Sequence, residues 1–169
     1  HLHSTFQPGG KELRAARLMN AFGPAVRHTV VSALADALGA ASAVDHAIEV
    51  DYPGDFEPLA GKPRPARLLR LARAMQPFDL VLTYNWGAMD AVLAHSVFGN
   101  YLSLPALVHH EDGFNQDEAA RLRPARNWFR RVALARSAAL VVPSQRLEQI
   151  ALEVWHQPRG RVHLIENGI

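Results

Sequence analysis

Short apolar runs alternate with longer amphipathic stretches along the chain, and this alternation predicts repeated strand and helix units. Strands are predicted at His1 to Thr5, Arg27 to Ser32, Ala47 to Val50, Leu80 to Thr83, Ala106 to His110, Ala139 to Val142 and Val162 to Ile165. Several of these runs are continuously apolar, as strands covered on both faces of a parallel sheet should be. Between them apolar positions recur at helical spacing. Ala15, Leu18, Met19 and Phe22 form one such stripe, and Leu147, Ile150, Ala151 and Val154 form another behind Ser144, which is suited to an N-cap. Leu68, Leu69, Ala72 and Met75 mark a third helix, and Ala88 to Phe98 a fourth. Ala125, Trp128, Phe129, Val132 and Ala133 give the apolar face of a fifth, with Arg123, Arg126, Arg130 and Arg131 assigned to its polar side. The stretch from Asp51 to Pro65 is rich in proline and glycine and is expected to be an exposed loop. The expected fold is therefore α/β: one Rossmann-like three-layer domain with a mostly parallel sheet and right-handed crossovers.

Composition narrows the classes. With 169 residues and a hydrophobic fraction of 49%, the chain fits one domain with an ample core. It has no cysteine, so disulfides and thiolate zinc sites are excluded. No run approaches the ~20 apolar residues of a membrane span, and His1-Leu2-His3-Ser4-Thr5-Phe6 lacks the pattern of a leader, which agrees with a cytoplasmic location. The sequence starts without methionine and stops just after its last predicted strand, so it is expected to be cut at both ends. Lys11 and Lys62 are the only lysines beside many arginines, a bias that suits phosphate contacts or reflects genome composition.

In open parallel sheets, ligands gather at the carboxyl ends of the strands, which selects four clusters. Gly9 and Gly10 head the first helix, either to let backbone amides approach an anion or simply to allow a tight turn. G-x-G-x-x-G is absent, which disfavours a dinucleotide cofactor. Asn85 and Trp86 follow a strand and suit a polyhydroxylated ligand through hydrogen bonding and stacking; capping and core packing are their alternative uses. His109, His110, Glu111 and Asp112 form the densest ionisable group. Successive strand residues point to opposite faces, so only part of this group can serve one site, and one histidine is expected to be structural. No zinc spacing is present, and no metal or other cofactor is expected. Ser144 either caps its helix or contacts a ligand.

Taken in order, Ser4-Thr5-Phe6-Gln7-Pro8-Gly9-Gly10-Lys11-Glu12, His109-His110-Glu111-Asp112-Gly113, Val141-Val142-Pro143-Ser144 and Ile165-Glu166-Asn167-Gly168-Ile169 resemble the N-terminal domain of glycosyltransferase family 4. The resemblance runs over essentially the whole chain. It implies the N-terminal, acceptor-side half of a GT-B architecture across residues 1–169, with a donor-binding C-terminal domain outside this sequence. It also implies a retaining hexosyltransferase-type enzyme of polysaccharide biosynthesis, which moves a sugar from a nucleotide-diphosphate sugar to a glycan or lipid-linked acceptor. The fragment alone is expected to be inactive. By position, Gly9 and Gly10 would face the donor diphosphate or the transferred sugar, while Asp112, His110 and His109 would be the catalytic or sugar-contacting candidates. Asp112 stands where relatives often carry the histidine of a His-Gly pair. Asn85, Trp86, Glu111 and Ser144 are the acceptor-side candidates. The basic helix near Arg123 to Arg136 is compatible with peripheral contact at the inner face of a membrane, or is an ordinary solvated face. No nucleic-acid partner is expected. The competing readings are a stand-alone small-ligand module without catalysis and another GT-B-like enzyme such as a sugar-nucleotide epimerase.

Overall fold

The computed structural model describes residues 1–113 and 123–167. Among these, the strands are β1 (Leu2–His3), β2 (His28–Thr29), β3 (Val31–Ser32), β4 (Val50–Asp51), β5 (Leu80–Tyr84), β6 (Ala106–His110), β7 (Ala139–Val142) and β8 (Val162–Leu164). The α-helices are α1 (Gly10–Phe22), α2 (Pro65–Met75), α3 (Met89–Leu102), α4 (Pro124–Ala133) and α5 (Gln145–Glu153). Six strands form one sheet in the order β3-β1-β5-β6-β7-β8, with every neighbouring pair parallel. This is the α/β, Rossmann-like architecture the hydrophobic pattern predicts.

Strand alternation divides the core into two layers. Leu2, Val31, Val81, Leu107, Leu140, Val142 and Val162 pack with the buried residues of α2, α3 and α5. On the other face, Leu82, Tyr84 and Val108 pack with Ala15, Ala16 and Met19 of α1. Burial of these side chains supplies the main driving force, at roughly 25 cal/mol per Å² of apolar surface removed from water.

Three expectations are corrected. The run from Arg27 to Ser32 is two strands, because its two halves find different partners. His28 and Thr29 pair with Val50 and Asp51 in a separate two-stranded sheet, whereas Val31 and Ser32 pair with Leu2 and His3 at the edge of the main one. Phe22, expected in the core, is 47% exposed in the last turn of α1. The fifth predicted helix is rotated relative to its expected orientation: Trp128 is 66% exposed, while Arg130 is fully buried. A charged residue holds that inward position because a carboxylate waits for it there.

Local signals set the helix starts. Proline occupies the first helical position of α2 and of α4, where its missing N–H costs nothing. The Ser144 hydroxyl accepts from the Leu147 N–H at 3.3 Å and so caps α5. The loop after Asp51 is fastened by Arg67 of α2, which donates to the Pro58 and Leu59 carbonyls at 2.8 and 2.6 Å and pairs with Asp90 of α3 at 2.6 Å.

Candidate functional site

The chain leaves β1 toward β3 on one side and is joined by β5 on the other, so the sheet has its switch point beside β1. Loops that diverge from such a point leave a crevice at the strands' carboxyl ends. The two loops here are Ser4–Gly9 after β1 and Asn85 with the short 3-10 turn Trp86–Ala88 after β5. They touch: a Cβ added to Gly87 would fall 2.2 Å from the Ser4 Cβ. Only glycine permits that approach.

At the head of α1, Gly9 is the N-cap and provides no side-chain hydrogen bond to the first turn. The first N–H groups of a helix have no partner within it, so an uncapped start presents donors and the positive end of the helix dipole. Glu12 tightens the turn from below. It is buried, its carboxylate pairs with Lys11 at 3.1 Å, and its Oε2 would lie 2.7 Å from a Cβ placed on Gly9. Lys11 Nζ also donates to the Ser4 hydroxyl at 3.1 Å, which ties the helix start to the loop after β1.

The end of β6 sorts its ionisable residues by parity. His109 and Glu111 point to the α3 and α4 side. His109 is fully buried with its Nδ1 2.8 Å from the Thr83 hydroxyl, and Glu111 accepts from Arg130 Nε at 3.1 Å with both side chains fully buried. His110 and Asp112 point to the α1 side. The His110 ring stacks on Tyr84 with centroids 4.8 Å apart, and Tyr84 in turn stacks on His3 at 4.1 Å. Burial, aided by the Arg14 charge, lowers the His110 pKa to about 3, and burial lowers that of His3 to about 2. Both rings are therefore neutral near pH 7, and burial likewise pushes the Tyr84 phenol up.

Asp112 is gripped at two points. Its N–H donates to the Asn85 side-chain oxygen at 2.7 Å, and its carboxylate receives both terminal nitrogens of Arg14 from α1, the Nη2 to Oδ2 distance being 2.9 Å. The same guanidinium donates to the Asn167 side-chain oxygen at 2.5 Å, and its Nη2 lies 3.5 Å from His110 Nδ1. Asn85 adopts a left-handed φ of 54° and donates its own N–H to the His110 carbonyl at 2.8 Å. A non-glycine residue in that conformation stores strain that the surrounding contacts must offset.

The sequence-derived candidates thus divide. Arg14 joins His110 and Asp112 on the α1 side, Asn85 joins them through the Asp112 N–H and the His110 carbonyl, and Gly9 and Gly10 stand at the head of that helix. Glu111 and His109 lie fully buried in the opposite layer, away from this group. Trp86 packs on Phe129 at 5.5 Å and carries the Arg126 and Arg130 guanidinium carbons at 4.8 and 4.9 Å, so its ring joins the turn after β5 to α4. Ser144 is committed to its cap. Sequence reasoning missed Arg14; the only available signal was its place four residues after Gly10, on the polar flank of the apolar stripe. Among the described residues no group of three or more His, Asp or Glu side chains is arranged to hold a metal ion. A separate cavity of about 620 Å³, lined by residues including His1, Phe22, His28 and Phe78, opens at the amino ends of the strands.

No curated protein and no solved structure matches the chain significantly. The family model described as Glycosyltransferase Family 4 matches residues 8–169, nearly the whole sequence and every part of the cluster from Gly9 to Asn167. The chain belongs to glycosyltransferase family 4.

Proposed function

We propose that this chain is the acceptor-side domain of a retaining glycosyltransferase, which moves a sugar from a nucleotide-diphosphate donor to a glycan or lipid-linked acceptor. The observation that carries the reading is the uncapped start of α1 at the switch point, with the Asp112 carboxylate held one turn further along the same helix. The amides of Gly10 and its neighbours would stabilise negative charge growing on the leaving diphosphate. Asp112 would accept hydrogen bonds from sugar hydroxyls, with neutral His110 beside it. In a retaining reaction of this kind the leaving phosphate can take the acceptor proton, so no side chain here has to act as a base. The nucleotide would be held mainly by a second domain, and the domain alone would not turn over.

The test is to assay the full-length protein with a panel of nucleotide sugars and to follow the anomeric configuration of the product by NMR. Transfer with retention supports the reading. Inversion, or an epimerised nucleotide sugar with no transfer, would overturn it. In the same assay Asp112→Ala should lower turnover without abolishing it.

A lipid-linked acceptor would place the enzyme at the inner face of a membrane. Exposed Trp128 and Val132 on α4, flanked by Arg131, favour contact with an anionic bilayer through the outer face of that helix. No helix among the described residues is long and apolar enough to cross a membrane. Co-sedimentation with anionic but not neutral vesicles, lost in Trp128→Ala, is the expected outcome; equal recovery with both would remove the membrane contact from the proposal.

A further inference from the structure

We propose that Arg14 is a positioning residue of the site: its guanidinium fixes the Asp112 carboxylate and the segment after β8 in one arrangement on which turnover depends. This rests on the transferase reading above, but its geometry stands independently. Three chain segments far apart in sequence meet at one side chain: α1, the residues after β6 and the residues after β8. β8 is two places from β6 in the sheet, so Asn167 reaches Arg14 only because the chain turns back over the end of β7.

The arrangement has little slack. Asn85 pins the Asp112 backbone at 2.7 Å, and both carboxylate oxygens are then taken by the two terminal nitrogens of Arg14. A planar fork meeting a carboxylate in this way sets both its distance and its plane, which an ammonium cannot do. The Arg14 side chain is 28% exposed and that of Asp112 is 13% exposed, so the pair is neither sealed into the core nor free in solvent. A two-pronged, largely buried pair of this kind also contributes to stability, so turnover and hydrogen exchange, rather than stability, distinguish positioning from a purely structural duty. The arginine charge adds to burial in keeping His110 neutral.

The experiment compares wild type, Arg14→Gln, Arg14→Lys, Asp112→Asn and the Arg14→Gln/Asp112→Asn double variant in the full-length enzyme. Arg14→Gln should lower kcat by roughly 10- to 100-fold, the scale of a misplaced catalytic constellation, with the donor KM unchanged; the thermal midpoint falls as the Asp112 carboxylate loses its partner, so the kinetics are measured well below it. Arg14→Lys should recover part of the loss, because the charge returns without the fork. The double variant should be no worse than Asp112→Asn, since Arg14 acts through that carboxylate. Independently of activity, hydrogen exchange at the Asp112 amide and in the segment 165–167 should accelerate in Arg14→Gln. Wild-type kcat in Arg14→Gln, or losses that multiply in the double variant, would overturn the proposal, as would unchanged exchange at both places. A full-length protein without transferase activity but with accelerated exchange would sink the transferase reading and leave the clamp standing.

Discussion

Arg130 reaches Glu111 across 3.1 Å with both side chains fully buried, one on α4 and the other just past β6. The arginine is further enclosed between Trp86 and Trp155, whose ring centroids lie 4.9 and 5.2 Å from its guanidinium carbon. Removing one member of such a pair strands the other charge away from water. Glu111→Gln or Arg130→Met should therefore lower unfolding free energy by about 3–5 kcal/mol, whereas replacing both together by apolar residues should cost much less. Urea denaturation of the four proteins measures this.

Gly87 and Gly10 should respond in opposite ways to alanine. The methyl at 87 would collide with Ser4, and the overpacking should destabilise by about 1–3 kcal/mol and displace the loop after β1. The methyl at 10 meets nothing within 4 Å, and alanine should stabilise the domain by about 0.4–1 kcal/mol, chiefly by restricting the unfolded chain. If Gly10 serves an anion, Gly10→Ala should nevertheless weaken the full-length enzyme's donor turnover. Paired melting curves and steady-state kinetics check both halves.

Acid should unfold the domain through its buried histidines. His3 and His110 have pKa values lowered to about 2 and about 3, whereas an unfolded histidine titrates near its ordinary value of 6.5. Below that value the unfolded chain binds protons that the folded one refuses, so stability falls with pH across the window from 6.5 down to the folded pKa values. The slope is up to about 1.4 kcal/mol per pH unit for each ring. Above pH 7 neither contributes. His110→Asn should flatten the acid limb of a stability profile measured between pH 7 and 4.

Ser144 separates structural from chemical duty in one substitution. Ser144→Ala removes the bond to the Leu147 N–H and should cost about 1 kcal/mol of stability. Full-length kcat and KM should stay at wild-type values. A marked loss of turnover without loss of stability would return this residue to the list of ligand contacts.

The architecture was legible because long apolar runs leave few choices. β6 and β7 fall where their runs of apolar residues stand, and the cap of α5 follows from one serine. The edge was less legible. Arg27 to Ser32 reads as one strand since nothing local says that its first half pairs with β4 and its second with β1. In the site, period-two alternation required that His109, His110 and Glu111 be split, but not which half would face α1. That depended on two arginines from distant helices, Arg14 and Arg130, which sequence spacing cannot bring to β6. The misplaced Trp128 has the same origin, because an apolar face was assigned to α4 by hydrophobicity when its inward position was claimed by a buried charge.

The contact of Gly87 with Ser4 also has a mechanical meaning. With the turn at Gly87 this close to Ser4, neither loop can shift toward the other without a clash, and the first of them leads straight into α1. The contact therefore couples the position of the α1 start to that of the turn before α3.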